Sequence, residues 1–170
     1  MAKRFQVDTD KTLTTGLVSY FKLDDVNDFY DGNHLTNYNA VTFEAGKISN
    51  SAKFNGSTNY LQRANVLSTA IDNVSMFMWV NIPTTSEKGC FMHNGLDTTG
   101  TSNGYALGVG ETNYDDLGNK LIGLCDNVAW MVFGTTIGTG WHFVGMIRNA
   151  GTWTGYIDGV AAATTFTSTP

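Results

Sequence analysis

Apolar and polar positions alternate over short stretches along this chain, and no helical period persists for three turns. The clearest pattern runs from Trp141 to Val160. Trp141, Phe143, Val144, Met146 and Ile147 lead to a break at Asn149-Ala150-Gly151, and Trp153-Thr154-Gly155-Tyr156-Ile157 then runs to Asp158-Gly159. Two β-rich runs around a short Gly-containing loop predict an antiparallel hairpin. The Asp-Gly step suits a two-residue type I′ turn, whose positive φ angles glycine adopts without steric cost. Val160 to Phe166 then forms the third strand of a meander.

Upstream, the pattern predicts strands at Leu17–Leu23, Val41–Phe43, Ala52–Phe54, Tyr60–Gln62, Cys90–His93, Tyr105–Val109, Lys120–Cys125 and Val128–Phe133. Asn55 to Asn59 reads as a turn, 94–104 and 110–119 read as long polar loops, and Val66 to Ile71 offers at most one helical turn. The strongest upstream strand is Val74 to Ile82. Val74, Met76, Met78 and Val80 lie on one face, with Phe77 and Trp79 on the other. Apolar residues on both faces predict a central strand, its second face covered or forming a concave surface. Short strands with regular turn signals predict an all-β antiparallel sandwich or jelly roll.

Composition agrees with that class. Charged residues make up only 15% of the chain while hydrophobic residues make up 42%, and 19 glycines stand against 2 prolines. This is a mix of short strands and tight turns rather than of helices. At 170 residues the chain is of single-domain length and can bury a sizeable core. The net charge of −5, with no basic stripe beyond Lys3-Arg4, argues against nucleic-acid binding. No apolar run approaches a membrane span. The N-terminal MAKRFQVDTDKT has two basic residues but no apolar segment after them, so it does not read as a secretory signal. Production without such export, as for a virion protein, fits this; so does a chain whose leader has been removed. Cys90 and Cys125, each in an apolar setting, are expected to be buried thiols. Neither has a second Cys or a His at ligand spacing, which argues against zinc.

Taken in order, these residues resemble the laminin-G-like domains of the concanavalin A-like lectin/glucanase superfamily. The resemblance is carried by Gly16 to Asp24, by Asp31-Gly32-Asn33, by Gly46-Lys47-Ile48 with Ala52 to Ser57 and Asn59-Tyr60-Leu61, and by Val74 to Val80. Trp141-His142-Phe143-Val144 and Tyr156-Ile157-Asp158-Gly159-Val160 complete it. It implies a jelly-roll-like, concanavalin A-like sandwich of two antiparallel sheets over residues 16–170, after an N-terminal arm or linker at 1–15. Family members continue past the Tyr156–Gly159 motif to a closing strand. The chain is therefore expected either to be the front part of a longer protein or to have its sheet closed by another chain.

The superfamily includes glucanases, and glycoside hydrolysis needs two carboxyl groups flanking the bond. Glu44, Glu87 and Glu111 are far apart, and adjacent aspartates such as Asp24-Asp25 or Asp115-Asp116 point to opposite faces of a strand. No catalytic residue is therefore expected. His142, between two aromatics, reads as a strand residue bonded to a neighbouring loop; His34 and His93 stand alone. Calcium, which takes oxygen ligands from loops, is the cofactor to weigh. Candidates are Asp97 with Asn94 and Asn103, Asp115 and Asp116 with Asn113, and Asp126 with Asn127. Sugar binding would use an exposed aromatic with nearby hydrogen-bonding groups; Tyr105, Tyr114, Trp130 and Trp153 could supply the ring, and Tyr114, Asp97, Asn103 and Trp130 form the candidate set.

Two functions follow as expectations. One is a non-catalytic structural or adhesive module on the surface of a larger assembly, such as a bacteriophage head decoration or tail fibre. Its partners would be other protein subunits or further copies of itself. The other is a calcium-assisted carbohydrate-binding module of a bacterial surface protein, exposed outside the cell and binding surface glycans.

Overall fold

The computed structural model describes residues 15–64, 72–98, 101–112, 116–125 and 130–167, with backbone alone at 96–98, 101–103 and 125. The expected arm, apart from its last residue, and the turn at Val66–Ile71 lie outside the described residues. No helix occurs among those described, so none is long and apolar enough to cross a membrane. The chain forms two compact units, residues 1–67 and 68–170.

Among its described residues the first unit holds four short strands, β1 (Thr36–Tyr38), β2 (Thr42–Ala45), β3 (Asn50–Lys53) and β4 (Tyr60–Gln62). They pair antiparallel as β1 with β4 and β2 with β3. The rings of Tyr38 and Tyr60, directly opposite each other, stack at 4.8 Å. The turn at Asn55–Asn59 forms because the Asn55 side-chain oxygen accepts from the backbone N–H of Ser57 and Thr58. The expected strand at Leu17–Leu23 is not one. It contributes a single bridge, Phe21 to Asp28, because Leu23 takes a φ of 59° and the chain folds back on itself.

That reversal is organised by Asp28, which is only 6% exposed. One carboxylate oxygen accepts from the N–H of Tyr20 (2.8 Å) and Tyr30 (3.0 Å). The other accepts from Asp31 (3.3 Å) and Asn33 (3.1 Å). The Asp28 N–H donates to His34 Nδ1, and the Asn33 amide donates to Val18 O and Ser19 Oγ. Burial pushes the Asp28 carboxyl up, but the four N–H donors outweigh it and hold its pKa below the ordinary 3.8.

The second unit contains two four-stranded antiparallel sheets packed face to face. Its strands are β5 (Val74–Ile82), β6 (Gly89–Thr98), β7 (Thr101–Gly110), β8 (Lys120–Cys125), β9 (Trp130–Thr136), β10 (Gly140–Asn149), β11 (Thr152–Ile157) and β12 (Val160–Thr167). One sheet runs β12-β11-β10-β5 and the other β6-β7-β8-β9. Trp153 of β11 meets Tyr105 of β7 at 6.1 Å, and Phe133 of β9 meets Phe166 of β12 edge-on at 5.6 Å. Gly123 and Gly155 make room for Phe133. A Cβ at Gly155 would lie 2.6 Å from Phe133 Cγ, and one at Gly123 would lie 2.9 Å from its Cε2.

The tail meander forms as expected. Ala150 and Gly151 take φ of 46° and 82° between paired Asn149 and Thr152. Asp158 and Gly159 take 51° and 82° between paired Ile157 and Val160. Asp158 also ties the hairpin together: Oδ1 accepts from Phe143 N at 2.9 Å, and Oδ2 lies 2.7 Å from His142 Nδ1. Replacing Asp158 with alanine is expected to cost about 1–2 kcal/mol, since these bonds are lost and the left-handed backbone is strained. Urea unfolding of the variant, with the midpoint shifted and the slope unchanged, is the check.

Three further expectations are corrected. The polar stretch 94–104 is not a long loop, because β6 runs to Thr98 and β7 starts at Thr101, with Asp97 opposite Ser102. Cross-strand pairing overrides its polar composition. Val74–Ile82 is a strand with the expected bounds, yet it ends its sheet's order instead of lying centrally. The strands buried on both faces are β7 and β8, where Tyr105, Ala106, Leu107 and Val109 and Leu121, Ile122 and Leu124 are all buried. Cys90 is exposed rather than buried, because it lies on the end strand β6 beside a bulge, and its thiol donates to Met92 O and Leu107 O. The Cys125 side chain lies outside the described residues.

Candidate binding face

The register of β5, β10 and β11 sorts side chains into two rows, because cross-strand partners share a face. Met76 pairs with Met146 and Val80 with His142, and Met146 in turn pairs with Gly155. This row faces the other sheet, where Met76, Val80, Ile82, Val144, Met146, Trp153 and Ile157 are buried. The alternate row carries Phe77 opposite Gly145, Trp79 opposite Phe143, and Tyr156 opposite Gly145.

On that outer face the four aromatics form one cluster. Phe77 and Phe143 stack at 5.5 Å, Phe77 and Tyr156 approach to 6.1 Å, and Trp79 and Phe143 to 5.4 Å. Gly145 is what lets Phe77 settle over β10, since a Cβ there would lie 2.0 Å from Phe77 Cδ1. Phe77 and Trp79 remain 38% and 40% exposed. Large aromatics left half in water on an ordered sheet form an apolar contact surface with little conformational entropy to lose on binding.

The residues expected to form a site fare differently. Tyr114, Asp115 and Asp126 lie outside the described residues. The backbone sets Asp97 on β6 opposite Ser102 and Asn103 on β7 opposite Leu96. Trp130 opens β9 half-buried, opposite Leu124. Asp116 accepts from the Thr112 hydroxyl. No group of three or more His, Cys, Asp or Glu side chains that could hold a metal converges among the described residues.

His142, His34 and the glutamates are held by local partners. His142 bonds to Asp158 and lies 3.2 Å from Thr139 O, the strand-to-loop role expected of it. His34 Nδ1 accepts from the Asp28 N–H, and His93 Nε2 is buried without a hydrogen-bond partner in the structure. Glu44 pairs with Lys53 at 2.9 Å, Glu111 pairs with Lys120, and Glu87 accepts from Thr84 Oγ1 at 2.8 Å.

Comparison with protein-family models, curated proteins and solved structures gives no match.

The aromatic face was partly legible in the chain. Phe77 and Trp79 share a face by simple alternation. Phe143 and Tyr156 join them only when β10, joined to β11 by a tight turn, also pairs with β5, which lies far away in sequence.

Proposed function

We propose that this chain is a non-catalytic structural or adhesive module of a larger assembly. Its contact surface is the Phe77, Trp79, Phe143 and Tyr156 face, and its partner is an apolar patch on another protein subunit. The observation that carries this reading is the half-exposed aromatic cluster on an ordered sheet. The partners of the three glutamates are two lysines and a threonine, which supports the non-catalytic part, since glycoside hydrolysis requires two carboxyl groups flanking the bond. A laminin-G-like, concanavalin A-like domain on a virion surface, such as a bacteriophage head decoration or tail fibre, is the setting proposed from the sequence motifs. The two face-to-face antiparallel sheets are compatible with that family.

A second reading is favoured by the chemistry of the same rings. Trp and Tyr faces also stack on sugars, and Asn81 on the outer row of β5 adds a hydrogen-bonding amide beside them. Under this reading the module binds surface glycans, with calcium as an accessory ligand.

A glycan array probed with the purified chain, in calcium and again in chelator, separates the two. The assembly reading expects no glycan signal from folded protein. Binding that Trp79→Ala removes would overturn it in favour of the glycan reading, and loss of binding in chelator would add the metal.

A further inference from the structure

Among the described residues, the two four-stranded sheets of the second unit have four end strands, β12, β5, β6 and β9. Three of them are interrupted. Register shifts occur between Cys90 and Met92 in the β6–β7 pair, between Lys120 and Ile122 in the β8–β9 pair, and between Thr154 and Tyr156 in the β11–β12 pair. Such bulges twist an edge away from further pairing. The β5–β10 pair is continuous over nine residue pairs, from Ile82 to Val74. Within β5 there is no proline and no charged side chain, the two other common means of blocking an edge. It also has apolar residues on both faces, the pattern of a strand inside a sheet.

We infer that β5 pairs antiparallel with β5 of a second copy of this chain, about a two-fold axis through Met78. The strand is complementary to itself in that register. Phe77 lies opposite Trp79 of the second copy on the outer row, and Met76 opposite Val80 on the inner row. Val74 lies opposite Ile82, and Ser75 opposite Asn81. Apolar meets apolar on both faces and the only polar pair falls near the ends, as an isologous interface requires. The four-stranded sheet becomes an eight-stranded one, and the aromatic cluster becomes continuous across the axis. This inference rests on the edge of the sheet and is independent of what the outer face binds.

Sedimentation equilibrium of the full chain tests it. A species of twice the monomer mass is expected to dominate at about 100 μM, where any low-micromolar Kd is well exceeded. Ser75 and Asn81 are exposed, so lysines there leave the folded chain intact. In the double variant S75K/N81K, two lysine pairs face each other across the axis, and Kd is expected to rise roughly tenfold or more at low salt. S75K/N81E replaces each repulsion with an attraction and is expected to restore the dimer. The two positions are six residues apart on one strand, roughly 20 Å, so the restoration cannot arise within one chain. A wild-type chain that stays monomeric overturns the inference. So does a dimer that S75K/N81K leaves unchanged, or one that S75K/N81E fails to restore.

Discussion

Replacing Phe133 with alanine is expected to lower the unfolding free energy by about 3–5 kcal/mol, the range for deleting a fully buried aromatic. Phe133 is 0% exposed and sits where the two sheets meet. Its ring packs against Phe166 of β12 and over Gly155 of β11, with Gly123 of β8 beside it. The cavity left behind is bounded by strands of both sheets, whose ladders prevent it from collapsing. The reciprocal change is expected to hurt as well. Gly155→Ala places a methyl group 2.6 Å from Phe133 Cγ and 3.0 Å from Leu121 Cδ2, so the ring must shift, at a cost of about 1–3 kcal/mol. Denaturant unfolding followed by tryptophan fluorescence measures both, because Trp153 belongs to the same core. A loss below 1 kcal/mol for Phe133→Ala would mean that the sheets do not pack through this residue.

The second large effect is expected at Asp28. Replacing it with asparagine keeps the shape but removes the charge, and it turns one acceptor into an NH₂ group facing N–H donors. With four backbone N–H groups served by the carboxylate, a loss of about 2–4 kcal/mol is expected. The pH dependence gives an independent check. The folded-state pKa of Asp28 lies below its ordinary value of 3.8, so the unfolded chain binds more protons in that window. The stabilisation is therefore present in full above 3.8 and is lost as pH falls through the folded-state value. The stability difference between wild type and Asp28→Asn should be flat at neutral pH and shrink on acidification below 3.8. A difference that stays constant down to the acid transition would show that the carboxylate charge is not what holds this loop.

Asp28 also shows why part of the molecule was not legible in the chain. The stretch from Gly16 to Asp24 has the alternation of a strand, yet it forms only the Phe21–Asp28 bridge. A buried carboxylate a few residues downstream offers its backbone a different set of hydrogen bonds. Nothing in the local pattern of Leu17 to Leu23 signals this competition. It depends on Tyr20, Tyr30, Asp31 and Asn33 all being within reach of one side chain. The polar stretch around Asp97 and Asn103 failed for the opposite reason. Its composition reads as loop, but a tight hairpin recruits it into β6 and β7.

The sequence by itself determined the all-β class, the bounds of β5 and both tight turns of the β10-β11-β12 meander. Each of these rests on local physics: two-residue alternation, and glycine at a left-handed position beside Ala150 or Asp158. Only the tertiary structure decided which strands lie inside the sheets. β5 carries the apolar pattern of a central strand and stands at an end, while β7, rich in small residues, and β8 are the strands buried on both faces. Burial is a property of what packs against a strand, and alternation records only that a face is apolar. The same holds for the aromatic face, because Phe77 and Trp79 meet Phe143 and Tyr156 only when β5 pairs with β10, far along the chain, while β10 and β11 are already joined by a tight turn.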